Sequence, residues 1–199
     1  MKTGFLARAA ACVLLAGAFG VATAGTGSAA EAELNITYSC QFSIAGTHDM
    51  PSVVSSPNLP DSAVVGVPTA PASATVTTTV SDDVRNTLWW IGGRSVDGTM
   101  TTTIAVDNAG SVQNLTSTLT IPNTPVPSSG SFEVVATGTL PGLTLANAGP
   151  TTINLGNADL ALTPRYANGE PTWIGVVHVP CTVKPGQVTK FHEFPVAAS

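Results

Sequence analysis

Two cysteines, Cys40 and Cys181, constrain the fold of this 199-residue chain more than any other feature. Each falls in phase with a row of alternating apolar residues, the pattern of a β-strand with one buried face. A secretory leader precedes them, and exported proteins form disulfides. Because a disulfide needs Cα atoms roughly 4.4–6.8 Å apart, a Cys40–Cys181 bond would place the first strand beside a late one. Tandem domains would separate the two cysteines, so we expect one domain. The alternative interpretation is two free buried thiols.

The first 30 residues are organised as a secretory signal peptide. Lys2 and Arg8 precede an apolar run, and Ser28-Ala29-Ala30 supplies the small residues of a cleavage site. Glycines interrupt the run, which is shorter than the roughly 20 residues of a membrane-spanning helix. We expect cleavage before Glu31 and one domain over residues 31–199. This mature protein would be secreted, extracellular or cell-wall associated, with no membrane insertion after leader removal.

The mature chain is strongly acidic. All twelve acidic residues lie beyond position 30, whereas two of the seven basic residues, Lys2 and Arg8, lie in the leader, so the net charge becomes −7. Binding to nucleic acid or anionic lipid depends on neutralising phosphates with Lys and Arg. The composition therefore argues against a nucleic-acid partner.

Period-two alternation of apolar residues predicts an all-β protein. Turn sequences such as Asp97-Gly98 and Asn168-Gly169 separate the alternating runs. Several strands at this spacing are typical of an antiparallel, immunoglobulin-like β-sandwich. The run that ends at Cys181 is apolar on both faces, so we expect it to be a central strand. The clearest runs span 34–42, 115–121, 132–136 and 173–181.

One short helix interrupts the strands. Ser81 is a favourable N-cap, Asp82 and Asp83 suit the positive end of a helix, and Gly92-Gly93 would end it. Three apolar residues then share one face at helical spacing: Val84, Leu88 and Ile91. We expect this helix to cross one end of the sandwich.

No group of residues predicts catalysis or metal binding. The string Gly93-Arg94-Ser95-Val96-Asp97-Gly98 has its second glycine one residue too late for a nucleophile elbow. The only candidate bases are His48, His178 and His192, which have no supporting spacing. Because the cysteines are better used as a disulfide, no zinc ligand set remains. We expect no enzymatic activity, no metal and no cofactor.

Trp89 and Trp90 are the candidate binding residues. On a helix the two indoles would flank the apolar stripe on opposite sides, so both would not be buried in one core. One interpretation is that they stack on sugar rings, with Tyr166 and Trp173 contributing. The other, which we favour, is that both indoles pack at the edge of the core with their N–H groups in water.

Four segments carry a family resemblance: 34–40 with a Tyr-x-Cys opening, 64–71, 88–98, and 180–187 with a Cys-Thr-x-x-Pro-Gly close. Across nearly the whole mature chain they resemble a domain of unknown function found in secreted actinobacterial proteins. The resemblance implies an extracellular or envelope-associated β domain. It assigns no activity and no catalytic residue.

The function predicted from the sequence is a secreted, non-enzymatic extracellular or cell-envelope domain with an interaction or structural role. Its partner would be an envelope glycan or a protein. The alternative hypothesis is a carbohydrate- or cell-wall-binding module that uses exposed aromatic side chains.

Overall fold

The computed structural model describes residues 29–199, so the predicted leader lies almost entirely outside the described residues. In this part of the chain there are ten strands and one short helix. The elements are β1 (Ala29–Phe42), β2 (Gly46–Pro60), β3 (Ala63–Val64), β4 (Ala72–Val80), α1 (Asp82–Trp90), β5 (Ser95–Asn108), β6 (Ser111–Pro125), β7 (Phe132–Leu140), β8 (Gly149–Arg165), β9 (Val177–Val183) and β10 (Lys190–Ala197).

Eight of these strands form a closed antiparallel barrel. Neighbouring strands follow the order β1, β2, β4, β7, β6, β5, β8 and β9, and β9 pairs with β1 again. The predicted β-sandwich is therefore wrong, although all-β class, short helix and disulfide are confirmed. A sandwich and a barrel share the same alternation of inward and outward residues along each strand. Only the pairing of β9 on both of its edges closes the sheet.

Strand β8 is long enough to serve two partners on one edge. Its first part, from Gly149 to Asn154, pairs with β10, whereas Ala158–Leu162 pairs with β9. The short strand β3 then adds to β10 in parallel. β3 and β10 thus lie outside the closed barrel.

The disulfide lies at the seam that closes the barrel. Cys40 on β1 and Cys181 on β9 are directly paired residues, with an S–S distance of 2.01 Å. Only three residue pairs join β1 to β9 in this ladder. The predicted bond and the predicted neighbourhood of the first and late strands are both confirmed.

Two local predictions need correction. The run 173–181 becomes a strand only from Val177, and the residues before it form a loop. Asp97-Gly98 is not a turn between strands but a register shift inside β5. Gly98 is required there because a Cβ would clash with the carbonyl oxygen of Ala161 on β8.

The two ends of the barrel differ. At the end where α1 lies, called the helix end here, α1 joins β4 to β5 and is accompanied by the β1–β2 turn, the β6–β7 loop and the β8–β9 loop. Near the opposite end the core includes Leu59 and Leu145, each 1% exposed, together with Phe194. The cavity that remains at this end is small, about 20 Å³.

No helix among residues 29–199 is long and apolar enough to cross a membrane. The expected cleavage site before Glu31 falls two residues into β1. Regular pairing of β1 with β2 begins at Ala32, after a register shift, so cleavage at the expected site leaves this ladder in place.

Removing the disulfide should destabilise the barrel. The bond closes a loop with a sequence separation of 141 residues, and loss of a native disulfide costs about 2–5 kcal/mol. We expect the double variant Cys40→Ala/Cys181→Ala to lose about this much free energy of unfolding, measured by urea denaturation and tryptophan fluorescence. A reducing agent should destabilise the wild type by a similar amount and leave the double variant unchanged. Equal stability of both proteins would contradict the prediction.

Candidate functional site: an apolar cavity under the helix

The barrel contains a cavity of about 100 Å³ at its helix end. Its walls come from inward-facing residues of the strands, and the paired Cys40 and Cys181 form part of them. Ala136 on β7 and Ala158 on β8 are each 2% exposed and line the cavity. Because these inward positions carry only methyl groups, the interior is not filled there by side chains.

The helix α1 covers this cavity. Val84, Leu88 and Ile91, predicted to form one apolar face, all line it. Helix bounds and apolar face are therefore confirmed, although the covered end belongs to a barrel. Ser81 precedes the helix without making a side-chain capping bond. Gly92 follows it with φ of 86° and lies against the Tyr166 ring, which leaves no space for a Cβ.

Two side chains of α1 anchor the helix to the β6–β7 loop. The buried Arg85 donates through Nε to the Gly130 carbonyl at 3.2 Å and through an Nη to the Ser128 carbonyl at 3.0 Å. Trp89 donates its indole N–H to the Pro127 carbonyl at 2.6 Å. Arg85 and Trp89 are four residues apart and lie on the same side of the helix. Their hydrogen bonds hold α1 in place over the cavity.

The cavity lining is uncharged. Its polar side chains are hydroxyls, and no charged side chain lines the cavity within residues 29–199. Ser52 and Thr78 share a hydrogen bond of 2.8 Å, and Thr87 donates to the Asp83 carbonyl at 3.0 Å. These hydroxyls are therefore already satisfied within the protein.

Two further hydroxyls line the cavity, those of Ser43 in the exposed β1–β2 turn and of Tyr38 on β1. Burial raises the pKa of Tyr38 to about 12, and a hydrogen bond with the Thr102 side chain offsets part of this effect. The phenol therefore stays protonated at physiological pH. It can donate or accept a hydrogen bond without introducing charge.

The structure separates the two predicted binding residues. Trp89 is half-buried, with the Arg94 guanidinium 3.7 Å from its ring centroid. Trp90 is 74% exposed. The adjacent indoles do not form one surface, and only Trp90 presents its ring to solvent. Trp173 in the β8–β9 loop, 68% exposed, presents a second one.

The three histidines make separate contacts. His48 donates from Nε2 to the Ala45 carbonyl at 2.8 Å, and His192 donates to the Pro60 carbonyl at 2.9 Å. His178 is exposed on β9. In the described part of the chain, no three His, Cys, Asp or Glu side chains cluster as a metal site requires.

The sequence does not predict the roles of Arg85, Ala136 and Ala158. Arg85 was not predicted to be buried because an arginine near a helix N-terminus is usually solvated. Its spacing of four residues from Trp89 is the only local signal that the two act together. The alanines follow the inward phase of their strands, but nothing along the chain shows which inward residues face each other.

A model for a family of unknown function, DUF6801, matches residues 37–192. The chain belongs to this family. The match runs from the middle of β1 into β10, so it includes the disulfide, the helix and the cavity. No curated protein matches the chain. No solved structure matches it either.

Removing the Arg85 side chain should loosen the helix. Hydrogen bonds from a charged donor contribute about 1.5–3 kcal/mol, so we expect Arg85→Ala to lower the free energy of unfolding by about 2–3 kcal/mol. The matched control is Asn86→Ala, at the next, exposed position of α1, where the change should be within about 0.5 kcal/mol. Urea denaturation of both variants checks this. Equal effects of the two substitutions would contradict the anchoring role.

Tyr38 should make stability fall at high pH. A tyrosine in the unfolded chain has its ordinary pKa of 10.0, whereas the pKa of Tyr38 in the fold is about 12. Between these values the folded state binds more protons, so unfolding becomes easier as pH rises, by about 2–3 kcal/mol in total. Denaturation series over this pH range should show a smaller slope for Tyr38→Phe than for the wild type. An unchanged slope in Tyr38→Phe would refute the assignment to Tyr38.

Proposed function

We propose that this protein is an exported, non-enzymatic binding protein whose barrel holds an uncharged apolar ligand at the helix end. The observation that carries the proposal is the uncharged cavity under α1, walled by aliphatic side chains and the disulfide. A closed barrel of eight strands has an interior just wide enough to be filled by side chains or to hold one small ligand. Here the cavity at the opposite end has about 20 Å³ and the cavity at the helix end about 100 Å³.

The cavity size favours a slender ligand. An apolar cavity of roughly 150 Å³ stays dry and binds benzene, whereas sites that enclose a drug-sized ligand have roughly 300–1,000 Å³. About 100 Å³ therefore suits the end of a hydrocarbon chain. The cavity reaches the surface beside the β1–β2 turn, where the exposed Ser43 and Ile44 belong to its lining. The rest of a longer ligand would leave through this opening.

The electrostatics favour a neutral ligand. Burying an ionised group without a partner is costly, and the lining offers no charged partner. Tyr38, as a neutral phenol, and Ser43 at the opening can supply a hydrogen bond to a polar group that enters the barrel. We infer an alkyl or acyl chain with an uncharged polar group, such as an alcohol or an ester.

The extracellular location is part of the proposal. The signal-peptide pattern of residues 1–30 supports it, and so does the disulfide, since such bonds persist in oxidising compartments. The proposed lack of catalysis is supported by the separate placement of the three histidines, two of which bind main-chain carbonyls.

Carbohydrate binding is the second candidate function. The 74% exposure of Trp90 favours it, because an exposed indole can stack on a sugar ring. Trp89 is covered by Arg94 on one face, so a platform would combine Trp90 with Trp173 instead of with Trp89.

Filling the cavity should abolish binding of a neutral chain. Met50 and Met100 both line the cavity and are the only methionines beyond the leader, so their labelled methyl groups report on it by NMR. We expect octanol to shift both methyl signals, and Ala158→Leu to weaken its affinity at least about tenfold, because the added atoms occupy the ligand volume. Octanoate at neutral pH should bind at least about tenfold more weakly than octanol.

The matched control is Ala161→Leu, which adds the same atoms to a half-buried position of β8 outside the cavity lining. It should keep the wild-type affinity for octanol. Thermal unfolding of both variants shows that they are folded. The proposal would be contradicted if octanol did not shift the methyl signals, or if octanoate bound as tightly as octanol.

A further inference from the structure

We propose that the apolar rim at the helix end docks on the uncharged surface of a lipid assembly, and that ligand passes there between lipid and cavity. The rim consists of Ile44, Trp90, Trp173 and Val176. The inference rests on the proposed function, because an apolar ligand has its main reservoir in lipid. It adds a partner and a docking surface to the cavity.

The rim residues are unusually exposed for their type. Trp90 is 74% exposed, Trp173 68%, Val176 58% and Ile44 43%. All four belong to segments of the helix end: the β1–β2 turn, α1 and the β8–β9 loop. Large apolar side chains that gather at one exposed place indicate an interaction surface.

Contacts along the rim connect these segments. The Tyr166 ring lies against Gly92, two residues after Trp90, and Tyr166 Oη accepts a hydrogen bond of 3.3 Å from the Trp173 main-chain N–H. Tyr166 thus bridges the end of α1 to the β8–β9 loop. On the other side of the opening, the antiparallel pairing of Cys40 with Cys181 brings the residues after β1 close to those before β9. Ile44 and Val177, the sequence neighbour of Val176, line the same cavity.

The rim also borders the opening of the cavity. Ile44 belongs to both the rim and the cavity lining. Ile174 and Val177 line the cavity as the sequence neighbours of Trp173 and Val176. A surface that covered the rim would therefore cover the opening, and a chain could pass between the two without crossing water.

The charges exclude an anionic surface. Among residues 29–199 every Lys or Arg is already engaged. Three of them pair with carboxylates: Arg165 with Asp97, Lys184 with Asp49, and Lys190 with Glu193. The other two donate to main-chain carbonyls: Arg85 to those of the β6–β7 loop, and Arg94 to those of Trp89 and Gly93. The exposed charges on α1 and in the β8–β9 loop, the segments that carry Trp90 and Trp173, are acidic: Asp82, Asp83 and Glu170. Anionic lipid would be repelled, so the surface that fits is zwitterionic.

The rim composition favours lipid over glycan. Tryptophan is suited to a lipid–water interface because its ring is apolar and its N–H can stay hydrated. The aliphatic Ile44 and Val176 gain nothing from stacking on sugars but are stabilised when they leave water. Lipid binding therefore explains the exposure of all four side chains, whereas glycan binding explains only that of the two tryptophans.

The experiment measures cosedimentation of the full mature chain with vesicles of pure phosphatidylcholine. We expect the wild type to sediment, and the double variant Trp90→Ser/Trp173→Ser to partition at least about tenfold more weakly. The control is Val112→Ser/Val188→Ser, which removes two apolar residues that are 60% and 67% exposed and lie outside the rim. It should sediment as the wild type does.

Three results would contradict the proposal that the rim binds zwitterionic lipid: no sedimentation of the wild type, equal sedimentation of the rim variant, or tighter binding when phosphatidylserine is added. Binding of soluble dextran that depends on Trp90, without vesicle binding, would assign the rim to glycan. Octanol titration of the rim variant separates the two proposals, because shifts of the Met50 and Met100 signals would show an intact cavity. Rim-dependent sedimentation without octanol binding would instead reject the cavity and keep the lipid surface.

Discussion

The short seam between β1 and β9 is the contact on which the rest of the structure depends. Only three residue pairs join the two strands there, and the Cys40–Cys181 bond links one of these pairs covalently. Without this seam the sheet would be open, with two unpaired edges exposed to other chains. Because the bond constrains a long loop in the unfolded chain, it stabilises a closure that three residue pairs would hold only weakly.

Closure also creates the interior that the proposed function uses. The inward residues of eight strands face one another only when β9 pairs with both β1 and β8. At the opposite end, where leucine and phenylalanine are buried, the cavity has about 20 Å³, whereas at the helix end, where Ala136 and Ala158 face inward, it has about 100 Å³. The disulfide thus closes the barrel and forms part of the cavity wall.

The helix end combines a fixed roof with an exposed rim. Arg85 and Trp89 donate hydrogen bonds to main-chain carbonyls of the β6–β7 loop, and these bonds hold α1 in position. The neighbouring Trp90 remains in solvent, and the exposed Ile44 lines the opening of the cavity. Since the cations are engaged within the protein and the nearby exposed charges are acidic, neutral and apolar partners fit this end best.

The amino-acid sequence by itself determined the local structure: inward and outward residues of β1, the bounds of α1 with its Val84-Leu88-Ile91 face, and the disulfide partners. These follow from residue periodicity, turn chemistry and cysteine chemistry, which act over a few residues or depend on the compartment. Only the tertiary structure decided that the sheet is a barrel and that Trp89 is covered while Trp90 is exposed. Alternation along a strand is the same in both architectures, whereas closure depends on which distant strands pair, as β9 does with both β1 and β8.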